Sequence, residues 1–289
     1  MGPEFREIVD EESSVERLAG GFLFTEGPVW DSAGGYLLFS DIPGNRIIRW
    51  APGESISDFR APSGKSNGLT RDGQGRLIAC EHANRRVSRT EDDGTVVTVA
   101  SHYKNRRLNS PNDVVVKSDG GIYFTDPPYG LNPVYGTMGE PELPFDGVYR
   151  VAPDGDISLL ISDCVPNGLA FSPDESLLYV ADTERNHLLV FDVNAAGKTA
   201  HGRIFAEIRG EPLAPDGLKV DVEGNIYVTG KGGIWVLNPE GKRLGVIAVP
   251  ELPANLAWGD SDWKTLYITA RSSLYRVRLK VAGVPSLRL

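Results

Sequence analysis

A sixfold internal repeat constrains this chain more than any other feature. The segments EGPVWDSAGGYLLFSD from Glu26, NGLTRDGQGRLIACE from Asn67, NDVVVKSDGGIYFTD from Asn112, NGLAFSPDESLLYVAD from Asn167, DGLKVDVEGNIYVTG from Asp216 and NLAWGDSDWKTLYIT from Asn255 follow one another in register. Each sets a polar residue before a short apolar run, then an Asp/Gly/Pro turn and a second apolar run, which is the pattern of a β-hairpin. A third run follows in every unit, as in NRIIRW (45–50), GVYRV (147–151) and SLYRVR (273–278), and a fourth is recognisable in VVTVA (96–100) and ISLLI (157–161). Four strands in units of roughly 40–45 residues are propeller blades. The pattern predicts an all-β, six-bladed β-propeller of four antiparallel strands per blade, forming one domain over residues 1–289.

The last unit has no fourth run of its own, whereas SVERLA at 14–19 alternates like a strand ahead of the first repeat. Residues 14–19 are therefore expected to complete blade six and close the ring, which removes exposed sheet edges. Residues 1–13 are left as an N-terminal tail. Between the second and third runs of blade three lie PPYGLNPVYGTMGEPELPFD, residues 127–146, with Tyr129, Tyr135, Met138 and Phe145. A stretch so long and so apolar is expected to form a lid or pocket wall.

In a propeller the first strand of each blade lines the central channel, so Glu26, Asn67, Asn112, Asn167, Asp216 and Asn255 should converge on its axis. All six side chains offer oxygen atoms, two of them as carboxylates. Such a ring suits a hard cation such as Ca²⁺ or Mg²⁺, and the lack of a His or Cys cluster argues against a soft-ligand zinc site. Asn-Gly and Asp-Gly also favour turns, so turn chemistry is the competing explanation. Two acids near one axis weigh against it, because burying them is costly without a partner or a metal.

Composition narrows the partners. Thirty Lys and Arg against 39 Asp and Glu give a formal charge of −9, which disfavours nucleic acid and anionic lipid. No apolar run reaches the ~20 residues that span a bilayer, and the first residues carry acids where a signal peptide has bases, so a cytoplasmic location is expected. Cys80 and Cys164 are too few and too far apart for a disulfide framework, and read as buried thiols.

The motifs TEGPVW (25–30), LNSPND (108–113), TDPPYG (125–130), PNGLAFSPD (166–174) and PDGL (215–218) resemble the bacterial, gluconolactonase-like branch of the senescence marker protein/gluconolactonase/luciferin-regenerating enzyme family. The resemblance spans essentially the whole chain. It implies a six-bladed propeller that hydrolyses a small-molecule lactone with one divalent cation in its channel, Ca²⁺ before Mg²⁺, Mn²⁺ or Zn²⁺. The family's ligands fall on Glu26, Asn167 and Asp216, with Asn112 on metal or substrate. Animal sugar-lactonases carry a substrate-contacting Arg two residues before that Asn, where this chain has Ser110, so sugar-lactone specificity is in doubt.

Substrate contacts are expected from Asn109, Asn112, Tyr129 and Arg107, with Arg106 and Arg107 as nearby replacements for the missing Arg. The family's base role falls on Asp216. His82, at the matching point of the catalytic His of paraoxonase-like propellers, is the alternative, since an imidazole suits proton transfer near neutral pH. Asp41, Glu81, Asp126 and Asp182 share a repeat position where orienting loops is the commoner role. The implied reaction is attack of water on a cation-polarised carbonyl. Two rivals are a paraoxonase-like phosphotriesterase or aryl esterase, and a non-catalytic, calcium-stabilised binding propeller. No Gly-x-Ser-x-Gly elbow is present to supply a serine nucleophile.

Overall fold

The structure is a computed structural model that describes residues 2–10, 12–208 and 215–286. Six four-stranded antiparallel sheets follow one another along the chain. Their inner strands are Thr25–Asp31, Ser66–Arg71, Val114–Val116, Pro166–Phe171, Leu218–Val220 and Pro253–Gly259. Each inner strand packs against the next, and the sixth returns to the first, so the sheets form a closed propeller. Blade six takes its outer strand from Glu16–Gly20, which pairs with Ser273–Arg278 in the register Glu16↔Arg276 to Gly20↔Ser273. The ring is thus closed by the N-terminal strand that the repeat frame predicts.

The tail departs from expectation. Pro3–Ile8 forms a short helix whose Phe5 and Ile8 are buried with Tyr227, Ile234 and Leu256 beneath blades five and six. Two apolar residues three apart are too short a pattern to carry a periodic signal. Among the described residues no helix is long and apolar enough to cross a membrane.

Layers of apolar side chains between neighbouring sheets make the core, and Tyr123, Tyr149, Tyr227 and Tyr267 are its largest buried members. Near the axis there is no room for such layers. A Cβ on Gly68 would lie 2.6 Å from the Asn112 carbonyl oxygen, and one on Gly168 would lie 2.4 Å from that of Asp216. Their amides donate to those same oxygens at 2.7 and 3.1 Å. The glycines after Asn67 and Asn167 are therefore required by the close approach of the next blade, not by a turn.

Candidate active site

Bulges place the first side chains of the site. The pairing register of the inner strands slips between Glu26 and Val29, between Ser66 and Leu69, and between Pro166 and Leu169. A bulge leaves its residues free of the strict alternation and re-aims their side chains. In blades three and five the inner strand starts later, and Asn112 and Asp216 precede it. The result is a cavity of about 300 Å³ lined by Glu26, Asn67, His82, Asn112, Tyr129, Asn167 and Asp216 together with Phe24, Ile42, Leu131, Tyr135 and Thr183. A smaller space of about 80 Å³ lies among the middles of the inner strands, where Val284, Pro285 and Ser286 form part of its wall.

Hydrogen bonding decides which oxygens are free. Glu26 Oε2 accepts from the Gly27 amide at 2.7 Å and from Asn255 Nδ2 at 3.1 Å, leaving Oε1 without a donor. Thr183 Oγ1 donates to the Pro215 carbonyl at 2.6 Å and must therefore accept from Asn167, whose Nδ2 lies 3.1 Å away. The Asn167 Oδ1 is left for the cavity. Burial pushes the Glu26 carboxyl up to about 7, with Asp113 adding repulsion. Asp216 is raised well above the ordinary range by burial, then by Glu26 and Asp113. Lys219 offsets part of this for Glu26. Buried acids that repel one another and have free oxygens beside amide carbonyls fit a hard, oxygen-seeking cation. Among the described residues no three His, Cys, Asp or Glu side chains could hold a metal by themselves, so such a set depends on the amides of Asn167 and Asn112.

His82 is buried and its Nδ1 lies 3.1 Å from the Tyr135 carbonyl. A carbonyl only accepts, so Nδ1 carries the proton. Burial lowers the imidazole pKa to about 4, with the Lys65 charge adding to the effect. The ring is neutral near pH 7 and Nε2 is an acceptor, 3.4 Å from Asn67 Nδ2. Segment 127–146 is fastened around this residue. Ser110 Oγ donates to the Pro127 carbonyl at 2.5 Å and accepts from the Gly130 amide at 2.8 Å. Lys65 Nζ holds the carbonyls of Pro133 and Val134 at 2.6 and 3.0 Å, and the rings of Phe24 and Tyr135 meet edge to face at 5.5 Å.

Of the residues singled out from sequence, the cavity brings together Glu26, Asn112, Asn167, Asp216, His82 and Tyr129, but neither Asn109 nor Arg107. Asn109 is buried, and its Nδ2 is spent on the Asp126 and Phe145 carbonyls and on Asp146. Arg107 points the other way, to the Asn84 carbonyl, while its amide and the Arg106 guanidinium hold Glu142. Within the long segment, Tyr129 and Tyr135 line the cavity, Met138 is exposed and Phe145 packs on the blade-three core. Asp41 and Asp126 accept backbone amides from neighbouring loops. Ile42 and Thr183 went unremarked in the sequence, yet both occupy the repeat position of His82, directly after the last residue of a second strand.

Comparison with known proteins gives a consistent placement. A gluconolactonase from Zymomonas mobilis is 33% identical over 98% of this chain and 86% of its own length. A pentonolactonase from Haloferax volcanii is 28% identical, covering 91% of this chain and 93% of its own. The solved structure of a gluconolactonase from Xanthomonas campestris superposes with a TM-score of 0.91 at 33% identity, over 96% of this chain and 93% of that one. The model of the SMP-30/Gluconolactonase/LRE-like region matches residues 24–272. With the ring, the bulged strands and this match in agreement, the chain belongs to the SMP-30/gluconolactonase/LRE-like family.

Proposed function

We propose that this protein is a metal-dependent lactonase. The observation that carries the reading is the convergence of buried Glu26 and half-buried Asp216, both raised by desolvation, Glu26 further by Asp113 and Asp216 further by Glu26, beside the free Oδ1 of Asn167. Glu26, Asn167 and Asp216, with Asn112 next to them, are the residues that would hold the cation, and an all-oxygen set favours Ca²⁺. Bound there, a divalent cation supplies Lewis-acid polarisation of an ester carbonyl. The lactonase names of the family relatives support the same reaction class.

The chain's own groups have separable tasks. Glu26 is pinned through Oε2 and keeps Oε1 directed away from its hydrogen-bond donors. Asp216 is the more open of the two acids, and its carboxylate takes the proton of the attacking water. His82 Nε2, held unprotonated, accepts from Asn67 Nδ2 and orients that amide in the cavity wall. Segment 127–146 walls the cavity and limits the approach of bulk water. The test is lactone hydrolysis followed by proton release for wild type, Glu26→Gln and Asp216→Asn, at saturating Ca²⁺ and after chelation. Both variants should lose on the order of 10²–10³ in rate, as preorganised electrostatic groups do. Full activity in the chelated wild type would sink the proposal.

A further inference from the structure

The cavity is two-faced. Its acids and amides come from the inner strands, whereas Phe24, Ile42, Pro128, Leu131 and Tyr135 supply an apolar wall on the side of segment 127–146. A ligand that carried hydroxyl groups against this wall would need partners there, because burying a hydroxyl without one forfeits its hydrogen bonds to water. The polar groups nearby are already committed. Ser110 Oγ both donates and accepts within the segment's own backbone contacts. Asn132 spends Nδ2 on the Tyr129 carbonyl and Oδ1 on the Val134 and Tyr135 amides. Thr183 Oγ1 is used by Pro215 and Asn167. Among the described residues, the fully buried cavity-lining atoms without a partner are Asn67 Oδ1 and the Tyr129 hydroxyl, which join the free Glu26 Oε1 and Asn167 Oδ1. Asn67 holds the same repeat position as Glu26, and Tyr129 feels the charge of Asp216, so both belong to the polar face.

We infer that the substrate is a lactone bearing an apolar substituent, its ring against the acids and its substituent, alkyl in the probes below, against Phe24, Ile42, Leu131 and Tyr135. This rests on the lactonase reading and adds to it the chemical class of the substrate. A polyhydroxylated lactone would put some of its hydroxyls against Phe24, Ile42, Pro128 and Leu131, whose side chains offer no donor or acceptor. An alkyl chain there gains about 0.8 kcal/mol for each methylene buried, which is roughly fourfold in kcat/KM.

The experiment measures kcat/KM of the Ca²⁺-loaded enzyme on δ-valerolactone, on δ-lactones with alkyl substituents of increasing length, and on δ-gluconolactone. The expected result is a rise of several-fold per methylene until the wall is covered, with δ-gluconolactone below the longer alkyl lactones and a flattened series in Leu131→Ala and Phe24→Ala. A flat wild-type series, or δ-gluconolactone as the best substrate, overturns the inference while leaving the lactonase reading intact. If no lactone is hydrolysed, the lactonase reading fails instead. Calorimetry with the matching alkyl δ-lactams, which are not cleaved, then decides the inference alone: tighter binding with chain length supports it, and no binding or no length dependence overturns it.

Discussion

Replacing Glu26 by Gln should make the chelated protein more stable while destroying its function. Gln keeps the shape of Glu, and its carbonyl oxygen can accept the same two hydrogen bonds, from Gly27 at 2.7 Å and Asn255 at 3.1 Å. The change therefore removes a charge from a site that is 3% exposed and disturbs little else. The folded chain binds the Glu26 proton more tightly than the unfolded chain does, because the carboxyl rises from 4.5 to about 7. Wild-type stability from this group is fully present below pH 4.5, falls as pH rises toward 7 and is flat above. At pH 8 the accumulated loss is on the order of 3 kcal/mol, and Glu26→Gln escapes it. Relief of repulsion on Asp216 acts in the same direction.

The assay is urea unfolding of both proteins at pH 4 and pH 8, with chelator and with Ca²⁺. In chelator the variant should exceed wild type by about 3 kcal/mol at pH 8 and match it at pH 4. With Ca²⁺ the order should reverse, since a ligand that binds only the folded state stabilises the protein that can hold it. A variant less stable than chelated wild type at pH 8 would refute the reasoning, because it would mean that the carboxylate is a structural hydrogen-bond acceptor and not an unrelieved charge.

Asn255→Ala should cost about 1–3 kcal/mol in denaturant unfolding, because Asn255 both donates to Glu26 and accepts from the Leu256 amide at 2.9 Å. Asp126, raised from 3.8 to about 8 chiefly by burial and further by Asp146, costs the fold stability as pH climbs from about 4 to 8; Asp126→Asn should be more stable than wild type by about 6 kcal/mol at pH 9 and not at pH 4, read from the same unfolding curves. Deleting residues 132–143 removes the carbonyl that fixes the His82 tautomer and should change the ratio of activities across a lactone panel; a folded deletion protein with unchanged ratios would show that the segment does not act as a lid.

The fold was legible because every blade repeats one pattern. Third and fourth strands fell where the apolar runs predict them, and the closing strand is Glu16–Gly20, shifted only slightly from 14–19. The helix at Pro3–Ile8 was not legible, since its two anchors, Phe5 and Ile8, acquire meaning only from the surfaces of blades five and six that they cover. The site was legible in its polar half. Repeat position brings all six side chains to the axis and the family resemblance singles out Glu26, Asn167 and Asp216, but neither says which of the six retain free oxygens, because that depends on partners from other blades. Thr183 turns Asn167 toward the cavity, while Asn255 is consumed in holding Glu26.

Of the apolar half, the wall from segment 127–146 with Tyr135 was legible, while Phe24 and Ile42 were not, for a different reason. A search for chemistry favours acids, amides and histidine, and it passes over Ile42 although that residue stands in the His82 position of its own blade. The same repeat that brings ligands to the axis also brings Ile42, His82 and Thr183 to one rim, where each follows the end of a second strand. Read position by position, a propeller therefore specifies two concentric sets of residues. The inner set is polar in every blade and sets the reaction class. The next set is chemically mixed, and Ile42 beside Phe24 and Tyr135 makes one side of the rim dry. Substrate choice then depends on the outer set, where a change of one side chain alters what the site excludes without touching the acids beneath.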